Sequence, residues 1–467
     1  MARAPTYSFR ETLLWGESRG QIIHLILRGL GIASSFFILA TVSVYLYGLY
    51  QLILTAVAVA VHLTSGLFDE AVTNDLARAT AEGKRKDAKR LAAEYIGAKT
   101  IIAFAVWALV FFGAELIARY YDQDIGGSVR IASFLVLFPA LRTMQVLFFR
   151  ATVSFAAFGA EIIAETTRLG LLVALWWQGG LTLGEVLWAG AIASGVTLAY
   201  TSFYFFRRWR ELFTGIAPSA GWILPGLIRR YGVWVLTRYA VSRAAKGIDV
   251  WYVRVFLNTE AVGLYAFAVN LLTIFQGFVP TAMLGVLLPW EAGDRGRLAI
   301  IYRRMLKYGV WVGTAVALGA ALVAPPIIYF AMPKYEPALP LVLLLLTTLP
   351  LYAVYKYQKS FLVTLREQEL LAKRFLSEIA INAVIAFTLL PLLKLYAMAL
   401  TFLVDYGGRV GLYTYYLRRR YPELTVRFRD FFTVSREDRD LFRAVVASVL
   451  KPRWWIRRPA NPRIPQP

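Results

Sequence analysis

The sequence predicts an all-α polytopic membrane protein of about twelve transmembrane helices, set in two six-helix lobes related by a pseudo-two-fold axis. Three observations carry that prediction. Hydrophobic residues make up 58% of the 467 and the mean hydropathy is +0.55, which excludes an ordinary water-soluble protein. Apolar runs of about the 20 residues needed to cross a bilayer recur from end to end. A short motif also returns: Tyr45-Leu46-Tyr47-Gly48-Leu49-Tyr50 is echoed by Glu260-Ala261-Val262-Gly263-Leu264-Tyr265, 215 residues later.

Residues 1–20 mix Phe9, Leu13, Leu14 and Trp15 with charges, the pattern of an interfacial segment without a cleavable apolar core. The first lobe, 21–210, has spans at 21–42, 44–67, 96–118, 128–149, 157–177 and 184–206. A linker at 211–230 carries Pro218 and Pro225. The second lobe, 231–416, has spans at 231–256, 260–289, 305–331, 338–361, 374–394 and 396–416. Cations crowd alternate links: Lys84, Arg85, Lys86, Lys89 and Arg90; Arg207, Arg208 and Arg210; Arg295, Arg297, Arg303 and Arg304; Arg366, Lys373 and Arg374. That bias predicts those links, and both termini, on the cytoplasmic side of the plasma (inner) membrane. It also explains the net charge of +22 without nucleic acid. The tail, 417–467, has Ser435 and Asp438 as a capping box, an apolar stripe through Leu441, Phe442, Val445 and Val449, then Trp454 and Trp455 among cations, which predicts a helix lying on the inner leaflet.

The span at 231–256 organises the rest. It carries Arg238, Arg243, Lys246 and Asp249, and each Arg or Lys facing lipid costs about 2.5–3.5 kcal/mol. On a helical wheel they share one arc with Tyr239, Ser242 and Arg254, opposite Val241, Ala244, Ile248 and Trp251, so one face is expected to line a wet cationic interior. The 215-residue offset places Arg28 of the first span on Arg243. With no cysteine in the chain, thiolate catalysis, disulfides and cysteine-based metal sites are excluded, and no metal or cofactor is expected.

Gly48-Leu49-Tyr50, its counterpart inside Asn258–Ala268 and the twelve-span layout resemble the polysaccharide-transporter flippases, which include the O-antigen unit translocases, of the multidrug/oligosaccharidyl-lipid/polysaccharide exporter superfamily. The resemblance implies a V-shaped pair of lobes around a cavity open alternately to either side, and a polyprenyl-diphosphate-linked glycan as substrate. Membrane lipids, and other polysaccharide-assembly proteins as candidates, complete the implied partners. The two extra C-terminal spans usual in lipid II flippases are missing, which argues against a peptidoglycan precursor.

A diphosphate needs a polar path through the bilayer, and the forked, permanently charged guanidinium suits it. Arg28 and Arg243 are the first candidates, one per lobe, with Lys246 and Arg238 lining the cavity. Arg168 and Arg409 rank second, because Glu165 and Glu161, and Asp405, stand one or two turns before them as structural partners. Arg142 is expected to snorkel, and Tyr352, Tyr355, Lys356, Tyr357 and Lys359 to form an interfacial belt. Asp249, Asp405, Glu161, Glu165 and Glu378 are intramembrane acids that either couple transport to an ion or balance arginines. Pro139, Pro280, Pro289, Pro325, Pro326, Pro350 and Pro391 are candidate bending points.

Two other functions compete. An ion-coupled multidrug antiporter of the same superfamily would want a carboxylate-dominated cavity. A membrane glycan polymerase or glycosyltransferase would use a D-x-D metal site such as Asp122-Gln123-Asp124 or Asp438-Arg439-Asp440, both lone patterns. No nucleotide-binding loop is present, and the protein is expected not to be an enzyme.

Overall fold

A computed structural model describes residues 26–64, 69–152, 158–227, 247–279, 295–365, 367–426, 428–431 and 433. The described residues are helical, with no strand. The first half contains α1 (Ile26–Thr41), α2 (Val44–Thr64), α3 (Asp69–Ala81), α4 (Arg85–Phe112), α5 (Ala114–Tyr121), α6 (Gly126–Ala151), α7 (Phe158–Trp177) and α8 (Leu183–Phe213). The second contains α9 (Ile248–Phe256), α10 (Thr259–Gln276), α11 (Arg295–Ala331), α12 (Leu339–Leu346), α13 (Leu349–Thr364), α14 (Gln368–Leu393) and α15 (Leu395–Arg420). Six of these are long and apolar enough to cross a membrane on their own, and α12 with α13 makes a seventh span bent by 46°. The interfacial N-terminal segment and the tail helix with its D-x-D lie outside the described residues.

Several expected spans differ in detail. The third begins early, because α4 extends from Arg85 through a polar first third, and it breaks at Gly113 before α5. The tenth bends where Pro350, in the first turn of α13, lacks the N–H that would continue α12. Pro139, Pro325, Pro326 and Pro391 sit inside helices, while Pro280 and Pro289 lie outside the described residues. The seventh span does not run unbroken to Phe256. Gly247 is left-handed at φ 94° and caps α9, so this helix begins at Ile248, one residue before Asp249.

The two halves meet where α2 crosses α10, and the recurring motif is the reason. A Cβ on Gly48 would lie 2.1 Å from the carbonyl oxygen of Thr259, and one on Gly263 would lie 2.2 Å from that of Val44. Thr259 stands to Gly263 as Val44 stands to Gly48, so the contact is reciprocal at the 215-residue offset and the local axis passes through it. Only glycine lets the backbones approach this closely, as in small-residue packing of membrane helices generally. Around the crossing, buried Ile53, Leu52, Tyr265 and Phe267 form the core shared by both halves.

Each half also buries its own charges. In the first, Lys99 pairs with Asp69 at 2.8 Å, Tyr95 donates to the same carboxylate at 2.7 Å, and the Lys99 ammonium also reaches the Thr64 carbonyl. In the second, Arg374 and Arg409 close on Asp405 at 3.4 and 2.6 Å. Arg374, expected in a cation-rich link, is instead inside α14 and buried, because Asp405 of α15 faces it. The Tyr352–Lys359 cluster is not a belt: Tyr355 and Tyr357 are buried, and Tyr355 stacks on Tyr406 with ring centres 5.8 Å apart. Arg142 does not snorkel; it holds Glu161 of the neighbouring helix at 2.7 Å. The link after α8 is docked on α4, where Lys89 reaches the carbonyls of Phe213 and Ile216, and Glu94 accepts from the amides of Ile223 and Leu224. At the start of α14, hydrogen bonds from Tyr416 and Tyr421 hold the Glu367 carboxyl below the usual range.

Gly48→Ala or Gly263→Ala is expected to cost about 1–3 kcal/mol by forcing the crossing apart, read as a lower melting temperature in detergent. Gly97→Ala, with nothing within 4 Å, should leave it unchanged. Asp69→Asn should cost about 3–5 kcal/mol by stranding Lys99, and adding Lys99→Met should restore most of that loss, checked as a double-mutant cycle.

Candidate functional site

Below the α2–α10 crossing the helices diverge and leave a cavity of about 340 Å³ between the halves. Its polar lining includes Ser35 from α1, Tyr47, Tyr50 and Gln51 from α2, Arg168 from α7, Asp249 from α9, and Tyr265 and Asn270 from α10. Tyr50 and Tyr265 are the tyrosines of the two Gly-Leu-Tyr motifs, each two residues past its crossing glycine. The repeat therefore places an equivalent phenol on either side of the same space.

Those phenols hold opposite charges. Arg168 donates from Nη2 to the Tyr50 hydroxyl at 2.9 Å, while Tyr265 donates its hydroxyl to Asp249. A phenol does both because its oxygen accepts as well as donates. The Arg168 guanidinium is otherwise loosely tied: it forms a long ion pair with Glu165 at 4.0 Å, and Arg168 Nε and Glu165 Oε2 are buried with no hydrogen-bond partner among the described residues. A guanidinium on a cavity wall, with a phenol as its hydrogen-bond partner among the described residues and a carboxylate at 4.0 Å, retains donors for an incoming anion.

The other expected residues are placed variously. Arg28 turns to the far half, donating to the carbonyls of Gly277 and Ile274 at the end of α10. Arg409 bonds Asp405 through Nε at 3.0 Å and Nη2 at 2.6 Å, and lies 4.6 Å from the centre of the Tyr355 ring. Asp405 is thus enclosed by two guanidinium groups and Glu161 is engaged by Arg142, which leaves Asp249 as the carboxylate lining the cavity. Glu378 falls on α14 with its side chain outside the described residues. Arg238, Arg243 and Lys246 also lie outside them, directly before the Asp249 helix. Among the described residues no cluster of three acidic or histidine side chains is set to hold a metal ion, and Asp122 occupies a left-handed turn at φ 50°.

Sequence reasoning ranked Arg168 behind Arg28 because Glu165 stands one turn away, and that carboxylate does lie 4.0 Å from the guanidinium. The missed signal was Tyr50, whose place in the repeated motif marked the inner wall. Tyr265, Arg374 and Lys99 were likewise missed as partners, since each meets a residue far along the chain.

Three comparisons bear on this architecture. The solved structure of lipid II flippase MurJ in an inward closed conformation matches with a TM-score of 0.72 at 14% identity, covering 92% of each chain. A multidrug resistance MATE family transporter of the MOP superfamily matches in its inward-facing conformation with a TM-score of 0.68 at 14% identity, over 85% of this chain and 94% of that one. An outward-facing structure of that transporter class matches at 0.58 and 12% identity, over 89% and 96%. These likenesses show the fold. Comparison with curated proteins by sequence finds no match. The family model described as polysaccharide biosynthesis protein matches residues 21–292, more than half of the chain. A multi-pass helical membrane protein of transporter fold, with its two halves facing one another across a polar cavity, this chain belongs to the polysaccharide biosynthesis protein family.

Proposed function

We propose that the protein is a flippase that moves a polyprenyl-diphosphate-linked oligosaccharide from the cytoplasmic to the outer leaflet of the plasma membrane by alternating access, without catalysing a covalent step. The observation that carries this reading is Arg168, a cavity-lining guanidinium whose one hydrogen bond among the described residues goes to a neutral phenol. Its remaining donors suit a diphosphate, while Tyr50, Gln51 and Asn270 offer hydroxyl and amide groups to a sugar. The polyprenyl tail stays in lipid, so only the headgroup needs the polar path. In this reading residues 21–210 and 231–416 are the rocking lobes, 211–230 the linker, and both termini cytoplasmic, with Arg238, Arg243 and Lys246 adding positive charge beside Asp249. Family membership supports a role in polysaccharide assembly.

One observation favours a second reading. Asp249 lines the same cavity with the Tyr265 hydroxyl as its hydrogen-bond partner, as a cation or proton site would require. Within the flippase reading Asp249 carries the coupling ion; in a multidrug antiporter it would hold the drug. Binding of an organic cation but not of a polyprenyl diphosphate by the purified protein would favour the antiporter.

In liposomes holding a fluorescent polyprenyl-diphosphate sugar, Arg168→Ala is expected to slow transfer between leaflets at least tenfold, about 1.4 kcal/mol of lost stabilisation, with protein abundance unchanged. Arg168→Lys should recover only part of the rate, because it keeps the charge but not the fork. Wild-type transfer by Arg168→Ala would rule out its assigned role. Asp249→Asn should remove the dependence of the rate on an imposed ion gradient; a dependence that persists would place coupling elsewhere.

A further inference from the structure

Among the described residues, side chains tie the halves together at both ends of the cavity. On the cation-poor side, Lys334 donates to the carbonyls of Ala40 and Val42 at the end of α1, Arg254 to that of Tyr121 at 2.7 Å, and the Trp251 indole to the Tyr120 hydroxyl at 2.7 Å. On the cation-rich side, among the described residues, Arg28 spans the gap: Nη1 to the Gly277 carbonyl at 2.6 Å and Nη2 to that of Ile274 at 3.2 Å, with Phe278 beneath the guanidinium at 5.0 Å. Arg28 and Ala40 stand about 18 Å apart along α1 at 1.5 Å per residue, with the cavity-lining Ser35 between them.

Gly277 is the telling residue. Its φ of −70° is ordinary right-handed backbone, so nothing in the main chain asks for glycine. What asks for it is space: a Cβ there would lie 1.4 Å from Arg28 Nη2. The guanidinium occupies the volume a side chain would take, and lies against the carbonyl end of α10, where a helix leaves acceptors unpaired and a partial negative charge. That partial charge is about half an electron, spread over several carbonyls. A phosphate oxygen with a full charge makes a charge-assisted bond roughly twice as strong as a neutral one.

We propose that Arg28 is the latch that closes the cavity on its cation-rich side, and that an anionic diphosphate headgroup opens it by drawing the guanidinium away from the end of α10. The triggering step rests on the flippase reading; the latch itself does not.

The chain lacks cysteine, so spin labels can be attached through Arg207→Cys and Lys373→Cys, two exposed positions on the cation-rich side of either half. Their separation is read by pulsed electron resonance in nanodiscs. Arg28→Ala and Gly277→Ala are both expected to shift the distance distribution to longer values. Gly277→Ala does so while leaving the Arg28 charge in place, and Arg28→Gln replaces Arg28→Ala if the latter does not insert. Inorganic pyrophosphate should produce the same shift in the chain with Arg28 and Gly277 intact, and none beyond it in Arg28→Ala. An unchanged distance in both variants, or a shift in Arg28→Ala alone, overturns the latch. A shift in both variants with no response to pyrophosphate overturns the trigger and leaves the latch standing, and the flippase reading is decided separately by transfer in liposomes.

Discussion

Everything in this molecule depends on two helices touching through glycine. At the α2–α10 crossing a backbone carbonyl from each half occupies the place a Cβ would need on the other. Lipid exerts no hydrophobic force between helices, so close packing of this kind is what draws membrane helices together. The crossing does more than join the halves. By pinning them at one level, it lets the helices splay beyond it, and the cavity forms in that splay, lined by the residues that follow each glycine.

The same economy governs charge. A guanidinium or ammonium within the bilayer is tolerated where it meets an acid, a helix end or water. Lys99 with Asp69 and the Arg374–Asp405–Arg409 triad take the first solution, each inside its own half. Lys334, Arg254 and Arg28 take the second, and because the helix ends they meet belong to the opposite half, they also tie the halves together. Arg168 is different. It rests against a phenol on the cavity wall, with the Glu165 carboxylate 4.0 Å away.

Symmetry and its breakdown divide structure from function. Gly48 with Gly263 and Tyr50 with Tyr265 keep equivalent places, and the scaffold is built from that equivalence. Their partners have diverged, so that one phenol holds a cation and the other an acid. A further asymmetry follows α8: residues Phe213 to Leu224 are fastened to α4 by Lys89 and Glu94, so they belong mechanically to the first half.

What the amino-acid order determined by itself was the succession of apolar stretches, the bunching of cations between them, and the repeat. Each is a property of short windows, additive along the chain, because insertion in a bilayer depends on local hydrophobic length and flanking charge. The order also pointed to an inner polar space, and the Arg409–Asp405 pair was legible at i−4. Tertiary structure alone decided which charge meets which. Arg374 reads as a link residue until α15 brings Asp405 against it, Arg142 as a surface cation until α7 brings Glu161, and Tyr355 as a belt until α15 covers it. Glu165, near Arg168 in sequence, forms a long ion pair with it at 4.0 Å, whereas the direct hydrogen bond goes to Tyr50, 118 residues earlier. Partner choice for a long flexible side chain turns on a few ångströms of helix placement, and no one-dimensional pattern contains that distance.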